Sequence, residues 1–283
     1  MTRFVLLLLA ALTTSAALPP ILPTPTSKAV SEAVRWQVLD HGLQLGEYLP
    51  AVKSAVGDSK ITVLKIDPRF YTFRLLESLQ FHDARKTAAQ WCRQQHLVAC
   101  VNAGMYQPDG HAVGYLRNGP YHNNAVFNQD NALLVFAPAD TLHPALKLID
   151  RGCEADWAQQ IVHYGACVQS TRMVDCTRKN TWAPQPRQWS AVLWGMDRDG
   201  QALLIFCRSP YSMHDLVNLL LQSPLDLQQA MYLEGGPEAS LSVHSGNTGR
   251  DLFGSYETGF MENDDVRQAF PLPNVIGVVK KQR

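Results

Sequence analysis

A chain of 283 residues, 46% hydrophobic and 18% charged, sits in the ordinary globular range and holds enough apolar material for a sizeable core. Its 25 basic and 25 acidic residues cancel, which argues against a broad basic surface and against nucleic acid as a partner. The tail Lys280-Lys281-Gln282-Arg283 is too short to change that reading.

The first residues read as a secretory signal over 1–17. Arg3 supplies the positive start, Phe4 to Leu12 the apolar segment, and Ser15-Ala16-Ala17 a small-x-small cleavage site. The apolar segment is short for a bilayer span, and no later one reaches the roughly 20 apolar residues a crossing needs. The expectation is therefore a secreted or periplasmic protein with no stable membrane insertion. Residues 18–33 carry Pro19, Pro20, Pro23 and Pro25, dense enough to forbid helix and interior strand, so an extended linker is expected there.

The folded domain is expected over 34–283. Val34 to Leu39 has strand character, and Ile61 to Ile66 is rich in β-branched residues. Tyr71 to Leu76 follows across Asp67-Pro68-Arg69 as a hairpin-like partner. The spacing of Ala84, Thr87, Ala88, Trp91 and Cys92 predicts a helix over 83–96, capped by Asp83. Further strands are expected at Leu97 to Val101, Ala132 to Phe136, Ala191 to Gly195, Ala202 to Cys207, Ala230 to Leu233 and Val275 to Val279. Asp199-Gly200 marks a hairpin between two of them. Ser212 with Asp215 resembles a capping box for a helix over 212–222. Strands outnumber helices and adjacent ones look hairpin-connected. The fold class is thus α+β: a mixed, largely antiparallel sheet core with a few packed helices, in a single domain.

In an oxidising compartment the six cysteines would be read as disulfides. Six allow 15 pairings. Cys92 with Cys100 ranks first, as a clip between a helix end and the next strand, leaving Cys153, Cys167, Cys176 and Cys207 to pair among themselves. No C-x-x-C or H-x-x-x-H spacing points to a metal, and the nine histidines are scattered singly, with only His122 and His244 close to candidate segments. No metal ligand is assigned, and the cofactor stays open.

Chemistry is expected where apolar strands run out into glycine-rich turns, because such turns admit close ligand approach on a rigid scaffold. One is Asn102-Ala103-Gly104-Met105-Tyr106, continuing to Gly114 and Asn118-Gly119. Its amides and backbone N–H groups could bind sugar hydroxyls or phosphate oxygens. A second candidate, without glycine, is Gln169-Ser170-Thr171-Arg172-Met173-Val174, whose arginine lies between small polar residues and an apolar pair near Cys167 and Cys176 and could take a phosphate bidentately. The third is Leu233-Glu234-Gly235-Gly236-Pro237-Glu238-Ala239-Ser240. Glu234 there could be a general acid or base, a nucleophile or a ligand for a hydroxyl, with Glu238 as a possible second carboxylate. There is no G-x-S-x-G elbow and no G-x-x-x-x-G-K-[ST] loop.

These segments, in this order and with the closing Pro273-Asn274-Val275-Ile276-Gly277-Val278-Val279, resemble the phosphodiester glycosidase family, in its secreted bacterial branch. The resemblance spans Val34 to Val279. Glu234 stands where the family usually has aspartate, Pro237 and Glu238 where it often has glycine and serine, and Arg187 is offset from the family's R-T-A-[IV]-G strand. The resemblance implies an exported hydrolase that breaks a sugar-1-phosphodiester at the anomeric C–O bond, acting on a sugar phosphate or an envelope glycan. Glu234 and Glu238 would be catalytic; Asn102, Gly104, Tyr106, Asn118, Arg172, Gly235, Gly236 and Ser240 would bind substrate. Two other readings use the same pocket: a metal-assisted phosphodiesterase cleaving P–O, or a non-catalytic glycan-binding envelope protein.

Overall fold

The computed structural model describes residues 33–282. The expected leader and linker lie outside the described residues, apart from Ala33.

Strands β1 (Arg35–Asp40), β2 (Leu43–Tyr48), β3 (Ile61–Ile66) and β4 (Tyr71–Glu77) precede helix α1 (Ala88–Gln95). Then come β5 (Ala99–Asn102), β6 (Leu116–Asn118), β7 (Tyr121–Asn124), β8 (Ala132–Pro138) and β9 (Leu146–Asp150), followed by the one-turn α2 (Trp157–Gln160). After β10 (Tyr164–Ser170), β11 (Arg172–Val174), β12 (Trp189–Asp197) and β13 (Ala202–Tyr211) stands α3 (Met213–Gln222). The chain closes with β14 (Leu227–Gly235), β15 (Ser240–Ser245), β16 (Thr248–Phe253) and β17 (Asn274–Lys280).

These strands form three sheets, ordered β1-β2-β3-β13-β12-β14-β11, β7-β6-β10-β8-β9 and β16-β15-β5-β17-β4. Every pairing within them is antiparallel. The two-residue period of a strand sends alternate side chains to opposite faces, and here both faces are apolar. Leu64, Trp194, Leu204 and Phe206 of the first sheet, Leu134, Phe136 and Val168 of the second, and Phe73, Val101 and Ile276 of the third share one central core.

The outer face of each sheet is covered separately. Met213, Leu216, Val217 and Leu220 of α3 lie on Val63, Leu193, Leu203 and Ile205 of the first sheet. Ala88, Trp91 and Cys92 of α1 lie on Leu76, Cys100 and Val275 of the third. Ile161 and Trp157 pack against Leu133, Val135 and Ile149 of the second. Burial on both faces explains why strands such as Ala202-Leu203-Leu204-Ile205-Phe206-Cys207 read as continuous apolar runs.

Three expectations are revised. Helix α1 begins at Ala88, not near Asp83. Lys86 exchanges backbone hydrogen bonds with Leu272, which keeps that stretch extended, and Asp83 bonds the Ala84 N–H and pairs with Lys86. The cap is Thr87, whose hydroxyl accepts from the Gln90 N–H while the Gln90 side chain accepts from the Thr87 N–H. Secondly, β3 and β4 are not hairpin partners. The Asp67 to Phe70 turn carries the chain between sheets, so β3 pairs with β2 and β13 while β4 pairs with β17. The β12–β13 hairpin does form, with Asp197 accepting the Asp199 and Gln201 N–H groups and Gly200 at φ +73°.

The third revision concerns cysteine. The disulfide is Cys153–Cys176, across 23 residues, and Cys92, Cys100, Cys167 and Cys207 are buried free thiols. Cys92 and Cys100 are neighbours in the layer under α1, where the Cys92 thiol points to the Ser242 carbonyl at 3.9 Å. Cys167 and Cys207 belong to the outer faces of two different sheets and do not meet. Only Cys153 and Cys176 stand in loops free to approach, after β9 and β11. Denatured without reductant, the protein should therefore react with a thiol reagent at four sites, at six after reduction, and at none in the native state.

One buried group is costly. Glu77, at the end of β4, is 0% exposed, and neither carboxylate oxygen makes a well-formed hydrogen bond. Burial raises its pKa to about 8, partly opposed by Asn123. Between pH ~4.5 and ~8 the unfolded chain releases this proton while the folded chain keeps it, so stability falls as pH rises through that window. Glu77→Gln should raise the melting temperature at pH 8.5, by roughly 1–3 kcal/mol of stability, with the gain vanishing below pH ~4.5.

Candidate active site

The chain order of the sheets brings the two glycine-rich segments together. Strand β14 ends the first sheet's run at Glu234-Gly235, turns once through the 3-10 segment Gly236–Glu238, and enters the third sheet as β15. There β15 pairs with β5, with Leu241 opposite Val101. The glutamate turn thereby lands beside the exit of β5, which leads to Met105 and Tyr106. Asn102 welds the two: its Nδ2 donates to the Glu238 carbonyl at 3.1 Å, and its Oδ1 accepts from the Ser240 N–H at 2.8 Å.

At this junction lies a cleft of about 360 Å³ lined by Met105, Tyr106, Arg187, Trp189, Tyr232, Glu234, Gly235, Gly236, Glu238 and Glu257. Strand β14 carries a register shift here, Val192 facing Glu234 and Leu193 facing Tyr232, a local irregularity of the kind that re-aims side chains beside sites. The first glycine is fixed by crowding: a Cβ on Gly235 would stand 2.0 Å from the Tyr232 hydroxyl and 2.4 Å from Trp189 Cδ1. The second has φ +60°, and its Cβ would stand 2.6 Å from Glu257 Oε2 and 3.6 Å from Glu238 Oε2. Both carboxylates thus face the space above that glycine.

The three glutamates differ in environment. Glu234 opens partly to the cleft but is ringed by protein, and burial lifts its pKa to about 8; the Gly235 N–H at 3.0 Å opposes the shift, while the charges of Glu238 and Glu257 reinforce it. Glu238 is raised too, first by burial and then by Glu257. Glu257 pairs with Arg187 at 3.2 Å. Burial pushes the Tyr106 phenol up, as do the charges of Glu234 and Glu238. At neutral pH this environment keeps Glu234 protonated beside the two other carboxyl groups.

Glu257 arrives on the loop after β16, which side chains hold in place. Ser190 Oγ accepts from the Ser255 and Tyr256 N–H groups at 3.0 and 3.1 Å. From the far side, the Arg208 guanidinium bonds the Asp264 carboxylate and the carbonyls of Phe253, Asp264 and Val266.

Of the residues expected from sequence, Tyr106, Glu234, Gly235, Gly236 and Glu238 line the cleft. Asn102 and Ser240 lie beneath it as the weld, both fully buried, and Gly104 packs near Gln169 and Val168. Two lie elsewhere. Asn118 sits on β6, where its amide donates to the Leu75 carbonyl and to Gln80 Oε1, tying the second sheet to the third. Arg172 donates from Nη1 to Asp150 Oδ1 at 2.6 Å, and Asp150 also accepts from the Gly152 and Cys176 N–H groups beside the disulfide. Its charge is thus committed to an internal carboxylate. Gln169 is likewise internal, accepting from Tyr115 and donating to the Asn128 and Asp130 carbonyls.

The cation that does reach the cleft is Arg187, two positions ahead of Trp189, where the strand pattern begins. Trp189, Tyr232, Met105 and Glu257 were not singled out from sequence. Glu257 has no motif around it; the loop's fixation by Ser190 and Arg208, with the hydrogen bonds between Thr258 and Gln188, brings it in. His122 and His244 are outside the cleft: His122 packs edge-on to Tyr115, and His244 bonds Asp251 at 2.8 Å.

A family model described as phosphodiester glycosidase matches residues 95–279. The chain belongs to the phosphodiester glycosidase family. Among solved structures, it is similar to the catalytic domain of zebrafish N-acetylglucosamine-1-phosphodiester α-N-acetylglucosaminidase, auto-inhibited by its pro-peptide, at 10% identity and TM-score 0.58, covering 89% of this chain and 88% of that one. It is also similar to a hypothetical protein from Synechocystis, at 14% identity and TM-score 0.55, covering 88% of this chain and 64% of that one. Both likenesses are of fold. No curated protein sequence matches it. Among the described residues no helix is long and apolar enough to cross a membrane.

The crowding at Gly235 is open to a direct check. Gly235→Ala should displace Tyr232 or Trp189, lowering stability by roughly 1–3 kcal/mol and changing tryptophan fluorescence in the native state.

Proposed function

We propose that the protein hydrolyses a sugar-1-phosphodiester at the anomeric C–O bond, with Glu234 as general acid and Glu238 as the carboxylate that receives a proton from water. The observation that carries this reading is the convergence of an enclosed glutamate, whose pKa burial raises, and a second glutamate with no ion pair among the described residues, in one aromatic-walled cleft. Water attacks the anomeric carbon and gives its proton to Glu238. The C–O bond breaks, its electrons pass to the bridging oxygen, and that oxygen takes the proton from Glu234. The products are a free sugar and a phosphomonoester.

The role of Glu234 follows from its environment. A carboxyl with a pKa of about 8 is a poor base at neutral pH and a ready proton donor. Glu238, which makes no ion pair among the described residues and faces the space above Gly236, suits the complementary task and can also stabilise an oxocarbenium-like transition state. Arg187 takes the phosphate contact first read into Arg172, exchanging Glu257 for the substrate oxygens. Trp189 and Tyr106 offer apolar faces to a sugar ring. The zebrafish enzyme's name, an N-acetylglucosamine-1-phosphodiester glycosidase, supports a sugar phosphodiester as the substrate class. Export is part of this reading, supported by the N-terminal pattern Arg3, Phe4 to Leu12 and Ser15-Ala16-Ala17, and by the disulfide.

Turnover of a sugar-1-phosphodiester should fall as pH rises past about 8, where Glu234 loses its proton. Glu234→Gln should lower kcat by roughly 10²–10⁴ with little change in KM, and should remove that alkaline limb. Full turnover by Glu234→Gln overturns the assignment. Hydrolysis in ¹⁸O-water decides the bond: label in the sugar is expected, and label in the phosphate means P–O cleavage.

A further inference from the structure

A second cluster of reactive side chains lies on the second sheet, remote in sequence from every cleft residue. We propose that Asp140, His143 and His163 form a binding site for a divalent transition-metal ion of the zinc type. One ligand atom from each, two imidazole nitrogens and a carboxylate oxygen, all lie within 4.8 Å of one another. His143 and His163 come from different segments, the loop between β8 and β9 and the 3-10 turn Ile161–His163 before β10. The proposal does not rest on the reading of the glutamate cleft.

The donor set selects the ion. Two imidazoles and one carboxylate suit zinc and its neighbours, while calcium and magnesium favour oxygen ligands throughout. Three protein ligands leave a fourth tetrahedral position open. The cluster borders a separate hollow of about 410 Å³, lined by His143, Pro144, Lys147, Asp156, His163 and Tyr164 among others, so the open position faces solvent-accessible space. Lys147 is the cation nearest this hollow. Its ammonium is held by Glu154 at 2.5 Å and Gln160 at 2.6 Å, which offsets its repulsion of an incoming ion.

The ligands are partly assembled. Asp140 Oδ1 contacts His143 Nδ1 at 2.8 Å, and the two imidazole rings stack with centroids 4.1 Å apart and planes 16° from parallel. The Ala139 N–H donates to the His163 carbonyl at 2.8 Å, fixing the loop to the turn. A tetrahedral zinc with bonds of about 2.0–2.2 Å needs its ligand atoms about 3.4 Å apart. The ring planes must therefore tilt until their lone pairs converge, and the carboxylate oxygen, now 2.8 Å from His143 Nδ1, must draw back from it by about half an ångström. Asp140 and His163 are exposed and His143 is half-buried, so side-chain rotation can supply this movement without disturbing the core.

The test uses the tag-free, chelator-dialysed full chain. Titration with zinc chloride, followed by calorimetry, should give one equivalent bound with micromolar affinity and a raised melting temperature. Cobalt chloride should give the visible absorption of a four-coordinate ion. Magnesium and calcium at the same concentration should do neither. His143→Ala and His163→Ala should each weaken zinc binding by roughly tenfold or more, as loss of a supporting group alone costs roughly 10–100-fold. In the unaltered protein, zinc should shift the imidazole ¹⁵N resonances of these two histidines, a readout independent of how any variant folds. Absence of binding at high micromolar zinc overturns the proposal. So does binding that survives the double variant or leaves both imidazole signals unmoved.

Discussion

Each of the three sheets buries its inner face against the other two, and that mutual burial is the constraint on which everything else rests. Trp194 of the first sheet meets Phe73 of the third at 5.3 Å between ring centroids, and Phe73 meets Phe136 of the second at 6.2 Å. No sheet has an inner partner of its own, so none is stable by itself. The short helices serve the outer faces only. The chain must therefore change sheets repeatedly, and each change leaves a turn where two sheets come together.

The cleft is a product of those changes. Where the first sheet hands the chain to the third, Glu234 and Glu238 are left at the seam, and the exit of β5 supplies the opposite wall. Asn102 holds the seam with a donor and an acceptor from one amide, neutral groups that add no field to a place already crowded with carboxylates. The crowding itself sets the chemistry. Three acidic groups around a restricted space cannot all ionise readily, and the most enclosed of them keeps its proton. Glu257, brought on a loop that Ser190 and Arg208 clamp, adds to that pressure while its pairing with Arg187 keeps its own charge partly balanced.

Much of this was legible in the sequence, for specific reasons. Ile61 to Ile66 and Ala202 to Cys207 announce themselves because strands buried on both faces are apolar throughout. Ser212 and Thr87 carry capping chemistry in their side chains, although Asp83 was the false signal for α1. Its carboxylate could cap a helix, and only the bridge between Lys86 and Leu272, 186 residues apart, shows why it does not. The glutamate segment stood out because Gly235-Gly236 after an apolar strand has no simple core explanation. Arg172 misled because an arginine between small residues looks free, whereas its partner Asp150 lies 22 residues away in another strand. Glu257 and Arg187 were hidden for the same reason: their relevance is set by tertiary placement and by no local pattern. The two histidines of the second cluster, 20 positions apart, likewise fall outside any recognised ligand spacing.

The cysteine arrangement bears on how the chain reaches its native state. Six thiols offered to an oxidant before folding could join in 15 ways, and four of them must end unpaired. Burial is what protects them: it raises the Cys100, Cys167 and Cys207 thiols above their ordinary range, Cys167 to about 12, and so suppresses the reactive thiolate. That protection begins only when the sheets have closed over their outer layers. Cys153 and Cys176 remain exposed in the finished fold, open to an oxidant after the others are hidden. Correct pairing thus needs no recognition between cysteines. It requires that collapse outrun oxidation, which makes the yield of native protein a contest between two rates.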